Sequence, residues 1–388
     1  MLCNGPPVVY RGRNWLDRAV ARRRASGPRI IPTSARGRGW CRRELGARGY
    51  SRRGLGLALS VAAVATVVAG CGDDAQPGAE VTLLTHESFA LPDSVFDTFR
   101  QETGLTLKVV KSGDAGQLAS TVSLTPGSPK ADAVFGIDNT FASRPIDAGA
   151  LEPYASPLVA NGAAEYAIPD SHDELTAVDR GDVCLNVDDT RYADNGQEPP
   201  KSLRDLRDPR YAAQAALLDP GTSSPGMAFL LTTIGLFPQG WQDYWKTVSA
   251  NGATMVSGWE IAYNQLFSAG EGKGAKPIVL SYASSPAATP GTSALLDSCF
   301  RQVEYVGILK GAKNPTGARK LVDFMLGPAV QAALPSAMYV YPVQKGTPLP
   351  DGWQQRAPVP TWTVSLPPAY IAANREKWLE QWREAVGR

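Results

Sequence analysis

A run of 17 uncharged residues, 54–70, ends at Cys71 and divides the 388-residue chain into two parts of opposite charge. Upstream, residues 1–53 carry fourteen arginines, no lysine and two acids, Asp17 and Glu44, a net of +12. Downstream, the remaining residues hold 25 of the 39 bases and 35 of the 37 acids, a net of −10 that the overall +2 conceals. A folded part with an acidic surplus has no basic charge to spend on phosphate backbones. Nucleic-acid binding is therefore excluded for it.

Residues 55–69 consist of Leu, Ala, Val, Gly, Ser and Thr and are shorter than the roughly 20 residues a bilayer-spanning helix needs. Arg52-Arg53 precede them and small residues close them, which is the order of a secretory signal. The last four residues, Val68-Ala69-Gly70-Cys71, resemble the lipobox of bacterial lipoproteins, whose cysteine becomes the acylated first residue of the mature chain. That resemblance implies that 1–53 (an Arg-rich extension and signal n-region) and 54–70 (h-region and lipobox) are removed. Residues 71–80 then form a flexible tether on the outer face of the cytoplasmic membrane. One acyl chain holds a protein only marginally, whereas several on Cys71 would anchor it stably. Thiols oxidise outside the membrane. Only Cys184 and Cys299 remain in the folded part, so a disulfide between them is expected.

Beyond the tether, apolar runs predict strands at 81–85, 105–110, 131–135, 183–187, 215–218, 277–280 and 302–309. Helices are predicted at 93–103, capped by Asp93 or Ser94 and closed by Gly104, at 315–326 and at 368–386. The last has Ile371, Trp378, Trp382 and Ala385 as an apolar stripe on a surface helix. Residues 205–211 read as a polar connector. Strand–helix alternation over about 300 residues argues an α/β fold with largely parallel sheets.

Three kinds of residue stand where such folds bind ligands. The turn Asp219-Pro220-Gly221-Thr222-Ser223-Ser224-Pro225-Gly226 follows a strand and opens the apolar segment 227–236, with Ser224 as N-cap and Pro225 as first helical residue. Such a helix start can receive an anion, and an ordinary well-capped helix asks for the same residues. Trp259, Tyr282, Tyr339 and Tyr341 lie at strand ends and helix starts, where a cleft presents rings to a flat or cationic ligand, although single aromatics there also serve packing. Glu87 and Asp138 follow the first and third strands and could answer a positive ligand or simply cap a turn. No nucleophile elbow, Walker sequence or dinucleotide fingerprint occurs, and two histidines, His86 and His172, are too few for an ordinary zinc site. Neither catalysis nor a metal or cofactor is expected.

The blocks THESFALP, KADAVFGIDN, PPKSLRDLRDPRY, LLDPGTSSPGMAFLL, SGWEIAYNQLFSAGEG, VLSYASSPA, RQVEYVGILKGAKNP and YVYPV, in that order across about 80–386, resemble the thiamine-binding periplasmic lipoproteins of ABC transporters. The resemblance implies a type II periplasmic-binding-protein fold, with lobe I from 81–182 and 303–388, lobe II from 183–302, and crossings near 179–187 and 300–306. Cys184 and Cys299 would then lie beside the hinge. It also implies that Asp138 stands near the thiamine rings, that Ser223 and Ser224 receive the hydroxyethyl or phosphate end, and that Trp259 and Tyr282 are cleft aromatics. The sequence departs from the family pattern at His86, before Glu87, where an aromatic is usual. Further departures are Ala288 in place of a tyrosine and Tyr339 in place of a tryptophan. The function implied is extracytoplasmic capture of thiamine or its phosphate esters and delivery to a membrane permease and its ATPase. Two rivals are a binding protein for a polyamine or ferric iron, and a thiamine-degrading enzyme. The enzyme would need Cys184 or Cys299 as a free thiolate. Iron sites on related proteins use adjacent tyrosines, and no Tyr-Tyr pair occurs here.

Overall fold

The computed structural model describes residues 79–388. The Arg-rich extension, the signal, Cys71 and the tether up to 78 lie outside the described residues.

Eleven strands form one sheet: β1 (Glu80–Thr85), β2 (Thr106–Lys111), β3 (Ala133–Asp138), β4 (Leu151–Glu152), β5 (Thr176–Asp188), β6 (Ala215–Leu218), β7 (Thr254–Val256), β8 (Ile278–Tyr282), β9 (Thr292–Ala294), β10 (Phe300–Leu309) and β11 (Tyr341–Pro342). Their main order is β2-β1-β3-β10-β5-β8-β6-β7. Three strands at each end run parallel, β2-β1-β3 and β8-β6-β7, each wrapped by helices as parallel sheets require. Between them β10 and β5 run antiparallel to each other and to their outer neighbours. The sheet is therefore mixed, not largely parallel.

The two middle strands explain the difference. β5 is 13 residues long, and the expected segment 183–187 is only its inner part. Its first half carries Asp179, Arg180 and Asp182, which interrupt the apolar pattern and yet are largely buried. Ion pairing makes that tolerable: Arg301 of β10 reaches Asp182 at 2.8 Å and Arg180 approaches it at 4.0 Å. Cys184 and Cys299 are joined in a disulfide beside these strands, closing a loop of 115 residues.

The helices expected at 93, 315 and 368 start at those residues, while two caps fall one or two residues earlier than the sequence suggested. The helix Asp93–Thr103 begins after Pro92 without a side-chain cap and ends on left-handed Gly104. For Ser224–Leu236 the cap is Ser223, whose hydroxyl accepts from the Gly226 N–H, so Ser224 is already helical. Residues 203–212 fold into a 3-10 turn, Leu203–Arg207, closed by a capping box between Ser202 and Asp205, and a helical turn Pro209–Ala212. The final helix, Pro368–Val386, buries Ile371, Trp378 and Trp382 as expected, while Ala385 stays half-exposed. Its strongest contact is with the helix Trp241–Ala250, where Trp382 meets Trp245 edge-on at 5.7 Å. It also reaches the opposite end of the sheet, where Arg375 donates to the Thr140 carbonyl at 2.9 Å and Arg144 pairs with Glu376 at 2.8 Å.

Candidate functional site

Strands β1, β2, β8 and β10 end or pass beside one cleft of about 190 Å³. His86 and Glu87 enter it directly after β1. His86 lies against Phe135, and Gly136 leaves it room: φ is +99° there and a Cβ would overlap the imidazole. Burial, reinforced by Lys111, lowers the His86 pKa to about 4, so the ring is neutral at pH 7.

The opposite wall is aromatic. Trp259 starts a π-helical turn, Glu260–Leu266, and stacks on Tyr263 with ring centres 4.7 Å apart and planes 12° from parallel. Its indole N–H donates to Ser281 Oγ at 2.9 Å and its backbone N–H to Asp114 Oδ2 at 2.9 Å, so the ring is fixed from both ends. Tyr339 lies 6.1 Å from both rings. It ends the helix Pro328–Met338 in the left-handed conformation at φ +59°, and its carbonyl accepts from the Ser284 hydroxyl. A non-glycine residue held there carries local strain, a recurring feature of ligand clamps. Tyr282, at the end of β8, also lines the cleft and its hydroxyl donates to Gln302 Oε1 at 3.4 Å.

The remaining lining is acidic. Glu87, Asp114, Glu260, Glu271 and Glu304 all face the cleft, against Lys111 as the one lysine or arginine among the described lining residues. Burial, then Asp114 and Glu260, raises the Glu87 pKa. Asp114 is also raised by burial, although the N–H groups of Ala115, Trp259 and Ser224 and the Ser223 hydroxyl favour its charge.

Of the residues singled out in the sequence, His86, Glu87, Ser224, Trp259, Tyr282 and Tyr339 come together on this cleft. Asp138 and Ser223 stand in the layer behind it. Asp138 is fully buried, accepts from Thr140 Oγ1 at 2.8 Å and Phe141 N–H at 3.2 Å, and has its pKa raised to about 6 by burial, with the Ser224 hydroxyl beside it. Tyr341 turns away, donating to the Ala357 carbonyl and packing on Trp353. Sequence reasoning passed over Asp114, Lys111, Glu260, Glu271, Gln302 and Glu304. One signal for the last pair existed: Gln302 and Glu304 are two apart on a strand and so share a face. Cys184 and Cys299 are bonded and buried, so neither is a nucleophile in this structure.

The family of bacterial extracellular solute-binding proteins is matched over residues 128–365, more than half of the chain. The chain belongs to that family. Among curated proteins, this solute-binding protein is 28% identical over 320 residues to the thiamine-binding periplasmic protein of Salmonella typhimurium, covering 79% of this chain and 94% of the relative. It is 24% identical to the thiamine-binding periplasmic protein of Haemophilus influenzae, covering 84% and 98%. Among solved structures, a periplasmic thiamin binding protein superposes with a TM-score of 0.70 at 26% identity over 80% of this chain and 96% of that one. A periplasmic binding protein from Actinobacillus pleuropneumoniae with fructose-6-phosphate bound reaches 0.68 at 17% identity, covering 80% and 99%, a likeness of fold alone. The solute-binding protein thus has the type II periplasmic-binding-protein fold that its ordered sequence blocks implied.

Proposed function

We propose that this solute-binding protein captures thiamine in the cleft between Trp259 and Glu304 and hands it to an ABC permease with its ATPase. The observation that carries the reading is the pairing of fixed aromatic faces with an excess of carboxylates, five against one lysine. Thiamine joins a permanently charged thiazolium to a neutral aminopyrimidine, so it asks for ring faces and counter-charge together. The names of the relatives support the same ligand. Trp259, Tyr282 and Tyr339 supply faces and Glu87 a counter-charge, with Ser224 toward the hydroxyethyl or phosphate end and Asp138 and Ser223 supporting it from behind. Lobe I would comprise 81–182 with 303–388 and lobe II 183–302, closing about β5 and β10. Ligand favours closure by its excess affinity for the closed state. In this reading acylated Cys71 tethers the protein outside the cytoplasmic membrane.

A thermal-shift panel of thiamine, its mono- and diphosphate, spermidine and ferric citrate tests the ligand. A ligand at about 1,000 times its dissociation constant adds about 4 kcal/mol of apparent stability. Thiamine or a phosphate ester should raise the midpoint, and a shift with spermidine or ferric citrate alone would overturn the reading.

A further inference from the structure

Asp179 of β5 and Glu304 of β10 are cross-strand partners in the middle of the sheet. Asp179 is fully buried and Glu304 is 4% exposed on the cleft floor. No cation answers them locally, because the neighbouring Arg180 and Arg301 turn to Asp182. Among the described residues, neither Asp179 oxygen has a hydrogen-bond partner, and the Glu304 carboxyl is the cross-strand neighbour. Glu304 Oε1 takes the Gln302 amide at 3.4 Å and stands 3.6 Å from His86 Nε2. That nitrogen is buried, belongs to a residue 6% exposed that lines the same cleft, and has no hydrogen-bond partner among the described residues. A buried, unbonded imidazole nitrogen beside a buried carboxyl marks an edge built to meet a polar ligand.

Burial, followed by the charges of Asp179, Asp138 and Asp114, holds the Glu304 carboxyl well above the ordinary carboxylate range, and burial does the same for Asp179. Two carboxyls in register and buried this deeply are both pushed toward the protonated form, which gives the cleft floor hydrogen-bond donors and acceptors but little net charge. Lys111, the one lysine or arginine among the described lining residues, acts on His86. The fully charged end of a cation gains more beside the more exposed acids Glu87, Glu260 and Glu271 at the aromatic wall.

We infer that Glu304 reads the aminopyrimidine edge of thiamine, with Asp179 behind it and the free His86 nitrogen beside it, while the thiazolium lies outward at Trp259 and Tyr339. This inference rests on the thiamine reading above. The carboxyl hydrogen goes to a ring nitrogen, and the carboxyl oxygen accepts from the exocyclic amine. A glutamine at 304 offers the same donor and acceptor, whereas alanine offers neither.

The test compares thiamine with oxythiamine, in which a carbonyl replaces the exocyclic amine, by calorimetric titration of wild type, Glu304→Gln and Glu304→Ala. Wild type should prefer thiamine roughly five- to 150-fold, the range set by leaving a buried polar group unpaired. Glu304→Gln should keep that preference, and Glu304→Ala should reduce it to within about threefold while leaving the affinity of a thiazolium-only fragment unchanged. Equal binding of both compounds by wild type overturns the inference and needs no variant to fold. So does a Glu304→Ala protein that loses thiamine, oxythiamine and the fragment by the same factor. Failure of every one of these ligands to bind wild type would instead overturn the thiamine reading itself.

Discussion

The Trp259 N–H donates to Asp114 Oδ2 at 2.9 Å, joining segments 145 residues apart. The same carboxylate accepts from the Ala115 N–H at 2.6 Å and so starts the helix Ala115–Ser123. Beside it the Gly116 N–H donates to the Thr222 carbonyl at 2.9 Å, and a Cβ on Gly116 would lie only 2.8 Å from that oxygen. One carboxylate therefore links a helix start near β2 to the aromatic wall that follows β7. Asp114→Ala should cost about 1–3 kcal/mol through the lost cap and the orphaned Trp259 amide. Thiamine affinity should fall with it. Unchanged denaturation midpoint and unchanged affinity would show that the bond holds nothing in place.

Trp259→Ala removes a ring stacked on Tyr263 and bonded to Ser281. Thiamine binding should weaken by about 1–3 kcal/mol, the range for a lost stacked or cation–π contact. Trp259→Phe keeps a ring face without the indole donor and should lose less. A Phe variant as weak as the Ala variant, by titration, would assign the effect to the Ser281 bond rather than to the ring.

The buried acids set how stability varies with pH. Asp179 and Glu304 have folded-state pKa values raised above their unfolded ones, so the folded chain holds more protons than the unfolded chain once pH passes about 4. Their contribution is present at low pH and is lost as pH rises toward and beyond neutrality. His86 acts in the opposite sense, because its pKa is lowered to about 4 and its destabilising effect is confined to pH below about 6.5. Above pH 6.5 His86 no longer contributes, and the buried acids set the slope. Melting temperature should fall there in wild type, and Asp179→Asn should flatten the fall. A wild-type melting temperature that rises between pH 6.5 and 8 contradicts the raised carboxyl pair.

Several strands were legible because each is an apolar run between turn residues, and 215–218 matched β6 residue for residue. The middle of the sheet was not legible. Asp179, Arg180 and Asp182 make β5 look like a loop, and only their pairing with Arg301 and Glu304, more than 100 residues away, makes burial acceptable. The site divided along the same line. Trp259, Tyr282 and Tyr339 were visible because rings at element ends are unusual locally. Glu304 and Asp114 matter through register and through segment-to-segment hydrogen bonds, which no local pattern encodes.

The Cys184–Cys299 bond closes a loop of 115 residues and is buried beside the two middle strands. Replacing both cysteines by alanine should cost about 2–5 kcal/mol, chiefly by releasing the unfolded chain. Because neither sulfur reaches the cleft lining, thiamine affinity measured well below the new melting temperature should stay within about twofold. A large loss of affinity in a folded double variant would instead make the bond part of the ligand-gripping machinery.

Gly181 of β5 lies against the face of Tyr282, and a Cβ there would come 2.5 Å from Cδ1 of the ring. Its cross-strand partner is Gln302, the residue that accepts the Tyr282 hydroxyl. A single methyl group at 181 must push the ring toward the cleft and strain its bond to Gln302. Overpacking of this kind costs about 1–3 kcal/mol. Gly181→Ala should therefore lower both stability and thiamine affinity. In a Tyr282→Ala background the same methyl has space, so its cost should nearly vanish, and the double-mutant cycle should return a coupling of about 1–3 kcal/mol. Strictly additive losses would mean that the 181 position acts on the strand and not through the tyrosine.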